Sequence, residues 1–286
     1  MDSHDQIADA IRAAHSRIAR EYGLVALDGQ LPVPSYRHWV MDRYGWRHMS
    51  WVFHHALGGE CQTLVDAGCG NGQFSHFYLT QGAQRVIGLD FSEEMLDAAT
   101  ERIALAGFSG RFTPIQVDLR DLSAVGREIA DMVQLYGVTE HLDDPWLVVA
   151  NLAQLLRPGG VLLFAVPRRW SLPFYAHVLI GNSPSRWGQA RTWRDRFRVS
   201  ERLRYYRFYS RGETERMIAA ANDCELVARI PFACAILYGR LAVWGEKQAL
   251  NGEQGYARLD KLDRLLSRWP VPGAEYIVLR RRGCRA

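Results

Sequence analysis

Residues 63 to 72 read TLVDAGCGNG, and the fold turns on them. Thr63, Leu64 and Val65 form the short apolar run of a central parallel strand, while Gly68, Gly70 and Gly72 allow the backbone to turn sharply or to approach a ligand. A helix is expected to follow at once, over 72–81. Such a turn presents backbone N–H groups to a ligand and suits a nucleotide-like molecule. The same glycines could serve only tight packing, so the stretch needs support from elsewhere in the chain.

That support begins immediately downstream. Short apolar segments at 86–89, 112–117, 132–136 and 161–166 alternate with helical patterns at 92–106 and 144–156, the signature of repeated βαβ units and a parallel sheet. The last strand follows the turn Arg157-Pro158-Gly159-Gly160. Ligands of open α/β sheets bind beyond the carboxyl ends of the strands, so Asp66, Asp90, Asp118 and Tyr136 are expected to share one crevice. Asp90 follows Gly70 by twenty residues, the separation at which an acid ending the second strand accepts hydrogen bonds from ribose hydroxyls. Asp118 could accept from the exocyclic amine of an adenine, with Phe91 and Met95 covering the faces of the ring. The plainer alternatives are a helix-capping or solvated carboxylate at both positions.

Upstream, residues 3–20 carry Ser3 and Gln6 in a capping-box spacing, with Ile7, Ile11, Ala14 and Ile18 on one helical face. A second helix is expected over 35–57, carrying Trp39, Tyr44, Trp46, Trp51 and Phe53 and stopping at Gly58 and Gly59. Those aromatics either line a pocket or belong to the core. Four segments result: a helical cap at 1–60, the core at 61–167, an arginine- and aromatic-rich lid at 168–211, and a completion of the core at 212–286 with a helical excursion at 232–273.

Composition limits the possibilities. The 286 residues are 48% hydrophobic and 23% charged, ordinary for a globular chain and enough for one full-sized α/β domain with additions. The net charge of +4 comes almost wholly from arginine, since Lys247 and Lys261 are the only lysines; it is too modest to announce a nucleic-acid binder. Cys61, Cys69, Cys224, Cys234 and Cys284 show neither metal-ligand nor disulfide spacing, which fits a reducing cytosol. No apolar run reaches the roughly 18 to 20 residues that span a bilayer, and no signal peptide is recognised. A cytoplasmic protein is expected, lying at most against the inner face of a membrane.

With DAGCGNG at 66–72, GLDFSEEML at 88–96, VDL at 117–119 and LLRPGGVLLF at 155–164, the chain resembles the class I S-adenosylmethionine-dependent methyltransferases. The resemblance implies a Rossmann-like, seven-stranded, mostly parallel sheet of order 3-2-1-4-5-7-6, flanked by helices. By resemblance, Gly68, Cys69 and Gly70 hold the methionine and ribose part of S-adenosylmethionine, and Asp90 binds the ribose hydroxyls. Phe91 and Met95 flank adenine, and Asp118 with Leu119 fixes its amine and edge. Asp66 steadies the loop or the methionyl amine, and Tyr136 faces the methionyl end by its backbone. The last helix and strands are expected at 213–222, 225–230 and 276–279.

Methyl transfer from a sulfonium is an in-line displacement in which the protein mainly aligns the reactants. An oxygen nucleophile also has to lose a proton, and His141, in VTEHLDDP after the fourth strand, is the leading base. It could equally contact the cofactor and close the loop, or be structural. His38, His48, His54 and His55 are secondary candidates. The segment is similar to that of quinone-biosynthetic O-methyltransferases, some of which hold a divalent metal with paired glutamates and this histidine. Gly137 stands where the first glutamate would be, so no metal site is expected.

The lid holds nine arginines between Arg186 and Arg211 among Trp187, Trp193, Phe197, Tyr205, Tyr206, Phe208 and Tyr209. Such a mixture binds phosphates, nucleic acid or an anionic membrane, or is a solvated lid. The function expected is transfer of a methyl group to a small-molecule acceptor, an oxygen of a hydrophobic, quinone-like or lipid-like compound. The alternatives are a non-catalytic S-adenosylmethionine-binding regulator and an RNA methyltransferase using the basic lid. Nucleic acid is the less expected partner, because the Asn/Asp-Pro-Pro segment used on base amines is missing from LYGVT. A nicotinamide dehydrogenase would want a third glycine that GCGNG lacks at that spacing.

Overall fold

A computed structural model describes residues 45–171, 207–232, 240–266 and 270–283. The first expected helix, at 3–20, and most of the lid lie outside these residues. In chain order the elements are α1 (Arg47–Leu57), β1 (Thr63–Ala67), α2 (Gln73–Thr80), β2 (Arg85–Asp90), α3 (Glu93–Leu105), β3 (Phe112–Gln116) and β4 (Ala130–Leu135). There follow α4 (Pro145–Leu155), β5 (Leu156–Pro167), α5 (Arg211–Ala220), β6 (Cys224–Phe232), α6 (Arg240–Ala249), α7 (Gly252–Leu266) and β7 (Ala274–Arg281).

The strands form one sheet of order β3-β2-β1-β4-β5-β7-β6, as expected. The pairs among β1 to β5 are parallel, and β7 runs antiparallel to both β5 and β6. Period-two alternation divides the side chains between two cores. Leu64, Val86, Met132, Val161, Leu163 and Tyr276 face one side, packed with Met49, Val52 and Phe53 of α1 and with Tyr78 of α2. Val65, Ile87, Val133, Leu162, Phe164 and Ile277 face the other, under Val148, Val149 and Leu152 of α4 and Met217 of α5. Because both faces are covered, the central strands read as continuous apolar runs.

Local signals account for several boundaries. Ser92 caps α3 by accepting from the Met95 amide, and Asp144 caps α4 by accepting from Leu147. Gly58 ends α1 in the left-handed conformation, its N–H bonded to the Phe53 carbonyl. Ser210 and Glu213 form a complete capping box on α5. The Arg157-Pro158-Gly159-Gly160 segment lies within β5 rather than before it, with the register against β4 shifting between Ala130 and Met132. Arg157 pairs with Asp131 at 2.7 Å, and the other oxygen of Asp131 accepts from the amides of Gln62 and Thr63 at 2.8 Å each. One carboxylate thereby joins the amino-end approaches to β1 and β5 through β4. The excursion before β7 is the helical pair α6 and α7, and Ala249 and Leu259 enter the core on the α1 side.

Candidate functional site

The turn after β1 is built by backbone hydrogen bonds to its neighbour strand. Gly68 and Cys69 both donate to the Leu89 carbonyl, at 2.7 and 3.0 Å, and Gly72 donates to the Cys69 carbonyl at 3.0 Å. Gly70 donates to Asp90 Oδ2 at 2.9 Å, while Ser92 donates to Asp90 Oδ1 at 3.0 Å. The expectation that this turn directs its N–H groups at a ligand is therefore corrected for these four residues: the donors of Gly68, Cys69 and Gly70 hold the turn against the end of β2, and that of Gly72 closes the turn on itself. A donor-poor, acid-bearing turn suits a cationic ligand better than a pyrophosphate, which needs donors.

Glycine is required at Gly68, where φ is +70° and an added Cβ would lie 2.4 Å from Val138 Cγ2. Gly70, with φ of +52°, has open space where a Cβ would stand. The turn is thus packed tightly on the side facing the loop after β4 and open at its tip, a shape that admits a ligand against the backbone.

Asp66 lies beneath the turn, 2% exposed. Ser75 Oγ of α2 donates to its Oδ2 at 2.7 Å and Gln134 Nε2 of β4 to its Oδ1 at 3.4 Å. The Tyr78 hydroxyl donates in turn to Gln134 Oε1. Burial pushes the Asp66 carboxyl up to about 6, against the lowering effect of the Ser75 and Gln134 hydrogen bonds, and the nearby Asp90 adds to the rise. Asp66 consequently ties β1, α2 and β4 together under the glycine turn. Ser75, Tyr78 and Gln134 were not singled out from the sequence; Gln134, a polar residue inside the run DMVQL, was the available signal.

The remaining expected residues fall around the same sheet edge. Phe91 is half-buried beside Asp90, and Met95 is buried on the first turn of α3. Leu119 is buried, its carbonyl held by Asn151 of α4 at 3.3 Å. Asp118 takes a bidentate pair from Arg120, with contacts of 2.6 to 3.0 Å, so its carboxylate is engaged locally at an exposed position. The Cys69 thiol is buried and its pKa is raised well above the usual range by that burial. Among the described cysteines, Cys61, Cys69 and Cys224 are all free thiols.

Beyond β4 the chain passes through Tyr136 and Gly137 into a 3-10 turn, Thr139–His141. The Tyr136 ring meets Phe74 edge-on at 4.9 Å and stacks on Tyr276 of β7 at 5.8 Å. Burial pushes the Tyr136 hydroxyl up to about 12, with Glu140 adding to the shift. Half-buried His141 closes the 3-10 turn, its amide donating to the Val138 carbonyl at 2.9 Å. Thr139 is fully buried and donates from Oγ1 to the Ala165 carbonyl of β5 at 2.6 Å. Tyr209 donates from its hydroxyl to the Thr139 carbonyl at 2.5 Å.

The aromatic residues of α1 divide between roles. Phe53 is core, Trp51 is exposed and stacked on His55, and Trp46 stacks on Phe77 of α2 at 6.5 Å. Among the secondary histidines, His48 lies 5.7 Å from the Tyr276 ring, near the sheet edge. His54 and His55 bond to Gln81 and to the Trp51 carbonyl at the exposed end of the helix. Trp39, Tyr44 and His38 fall outside the described residues.

Comparison with known proteins agrees with this geometry. Residues 65–164 match the methyltransferase domain family. A ubiquinone biosynthesis O-methyltransferase of Methylococcus capsulatus is 32% identical over 128 residues, 45% of this chain and 52% of that protein. A trans-aconitate 2-methyltransferase of an Azoarcus species is 31% identical over 129 residues, covering 45% of this chain and 47% of the relative. The chain thus spans about half the length of the curated relatives it matches. Among solved structures, the 1,6-didemethyltoxoflavin-N1-methyltransferase of Burkholderia thailandensis, with bound S-adenosylhomocysteine, superposes with a TM-score of 0.55. Its identity is 15%, and 99% of this chain and 92% of that one are covered. The [4+2]-cyclase SpnF superposes equally well, with a TM-score of 0.55 at 17% identity over 84% of this chain and 81% of its own. At such identities these two likenesses concern the fold alone. The sheet order, the turn held against Asp90 and the family match together identify residues 65–164 as a class I S-adenosylmethionine-dependent methyltransferase domain.

Proposed function

We propose that this protein transfers a methyl group from S-adenosylmethionine to an oxygen of a hydrophobic, quinone-like or lipid-like small molecule. The observation that carries the reading is the shared edge: the open tip of the glycine turn, Asp90 and the 3-10 turn bearing His141 all lie at the carboxyl ends of neighbouring strands. Similarity to quinone-biosynthetic O-methyltransferases over part of the chain supports the acceptor class.

Bound S-adenosylmethionine supplies a methyl group already activated by its sulfonium. The chain's own residues bind and orient. Asp90 accepts from the ribose hydroxyls while keeping the Gly70 and Ser92 amides, which its two oxygens have lone pairs to do. Gly68, Cys69 and Gly70 form the floor for the methionine and ribose part. Phe91 and Met95 flank the adenine, and Leu119 with Asp118 borders its edge once Arg120 shares that carboxylate. Ionised Asp66 and the backbone at Tyr136 favour the cationic methionyl end. His141 takes the acceptor's proton at an imidazole nitrogen, and alignment of the two reactants supplies much of the acceleration.

The acceptor reaches the protein in the cytoplasm or at an anionic inner membrane surface, touched through the stretch 168–211. Among the described residues no helix is long and apolar enough to cross a membrane. Liposome flotation with and without 168–211 tests the surface contact, which fails if neither form floats.

The central test is calorimetry with S-adenosylmethionine and with NAD, followed by S-adenosylhomocysteine release on a panel of alkylated phenols and hydroquinones. Binding of the dinucleotide alone would sink the proposal. Asp90→Ala is expected to abolish cofactor binding, and His141→Ala to lose turnover with cofactor affinity within about twofold. Unchanged turnover removes His141 as the base.

A further inference from the structure

Thr139, Glu140 and Asp143 are fixed by a strap of chain some seventy residues away. The Tyr209 hydroxyl donates to the Thr139 carbonyl at 2.5 Å, the Arg207 amide to the Glu140 carbonyl at 2.8 Å, and Arg207 Nη1 to the Asp143 carbonyl at 3.2 Å. The strap is itself anchored to the end of β5. Tyr209 donates from its amide to the Pro167 carbonyl at 2.8 Å and accepts at its own carbonyl from Arg169 at 2.9 Å.

The Arg207 guanidinium is oriented from three sides. Its Nη2 bonds Glu213 Oε1 at 3.0 Å, and it lies 5.3 Å from the Trp146 ring centre and 5.0 Å from that of Tyr209. Glu213 is held in turn by the Ser210 capping box and lies 3.5 Å from Arg169. Tyr209 has no exposed surface, so its ring serves the core while its hydroxyl serves one main-chain carbonyl. Removal of that hydroxyl leaves the Thr139 carbonyl with the Leu142 amide alone, at 3.2 Å within the turn itself, and so removes the bond that ties this carbonyl to the strap.

We infer that Tyr209 and Arg207 are positioning residues for the acceptor side of the site: they set where the Thr139–His141 turn stands relative to the glycine turn, without touching either reactant. The inference rests on the proposed assignment of that turn to the acceptor side. Its geometric part stands independently. Gly68 packs on Val138, the residue just before the turn, so the two turns meet at this side-chain contact.

The test compares Tyr209→Phe with the parent chain by amide hydrogen exchange in the presence of S-adenosylhomocysteine. Exchange over 138–142 is expected to rise about tenfold, with β1, β2 and α3 unchanged within twofold and S-adenosylhomocysteine affinity unchanged within twofold. Equal exchange in the two proteins overturns the inference, as does a rise spread evenly over β1, β2 and α3. Arg207→Ala and Arg207→Lys give a second arm should the phenylalanine variant fold poorly. The alanine is expected to raise exchange over 138–144 and the lysine to recover most of it; the same exchange in both, at the parent's level, counts against Arg207.

On the phenol and hydroquinone panel, Tyr209→Phe is expected to lose at least tenfold in kcat with KM for S-adenosylmethionine within twofold. An unchanged kcat refutes the positioning role. If the parent chain turns over no member of the panel, the acceptor class is refuted, and the exchange measurement still decides whether the strap positions the turn.

Discussion

Replacement of Asp66 by asparagine is expected to stabilise the fold at neutral pH while weakening the methyl-donor site. Burial raises the Asp66 carboxyl from 3.8 to about 6, so the folded chain binds this proton more tightly than the unfolded chain does. Unfolding therefore releases the proton between those pH values, and the group's effect on stability turns unfavourable as pH rises from about 4 to about 6. Each factor of ten in acidity is worth about 1.4 kcal/mol, which puts the full effect above pH 6 at roughly 3 kcal/mol. Asparagine removes the buried charge and keeps one carbonyl oxygen for Ser75 or Gln134, at a loss of about 1 kcal/mol for the less well matched hydrogen bond.

The variant should then exceed the parent chain by about 2 kcal/mol at pH 7.5 and fall level with it or slightly below at pH 4. Urea unfolding followed by far-ultraviolet circular dichroism at both pH values measures the difference. A variant less stable than the parent by the same amount at pH 4 and 7.5 would refute the reasoning, because it would show that the carboxylate is not strained by burial. The ligand effect has the opposite sign. A cation favours ionised Asp66, so S-adenosylmethionine affinity in the parent chain should tighten between pH 5 and 7, and calorimetry of the asparagine variant should show neither the tightening nor the full affinity.

Two further substitutions probe how the site is held. Gly68→Ala forces a side chain into the left-handed region and against Val138, costing about 2–4 kcal/mol from backbone strain and overpacking together. Adding Val138→Ala should recover at least 1 kcal/mol of this in a double-mutant cycle by urea unfolding, whereas strict additivity would show that the contact does not limit the turn. Glu213→Gln should cost about 1–2 kcal/mol at pH 7 after allowance for solvent screening. Burial alone would raise the Glu213 carboxyl, but hydrogen bonds from Ser210 and Arg207, with the charge of Arg169, outweigh it and lower the group to about 2. That stabilisation is present above about 4.5 and is lost as pH falls through 2, so the parent and the glutamine variant should converge in acid; a gap that persists at pH 2 would contradict the assignment.

The central sheet was legible because its evidence is local. Short apolar runs leading to Asp66, Asp90 and Asp118, each followed by turn or capping residues, marked both the strands and the sheet edge at which ligands of open α/β sheets bind. Asp90 was found where its spacing from Gly70 placed it, and the two are joined by a hydrogen bond. The direction of the turn's amides was not legible, since glycine content reports conformational freedom and not the acceptor each N–H will find. Nor was the strap at 207–209 recognised as a neighbour of His141. Its contacts span about seventy residues, and of its parts only the Ser210–Glu213 box leaves a trace in the sequence. Asp118 shows the same limit at short range: its partner Arg120 is two residues away, yet nothing in VDLR distinguishes an arginine that folds back from one that faces solvent.

The glycine turn also implies an order of assembly. Its anchors, Leu89 and Asp90, lie within about twenty residues of the amides they hold, a short loop to close. The Thr139–His141 turn depends on partners that emerge much later in the chain, at 207–209. During synthesis the glycine turn therefore takes shape while the Thr139–His141 turn still lacks its support, and pulse-labelled exchange during refolding should find residues 64–70 protected before 138–142.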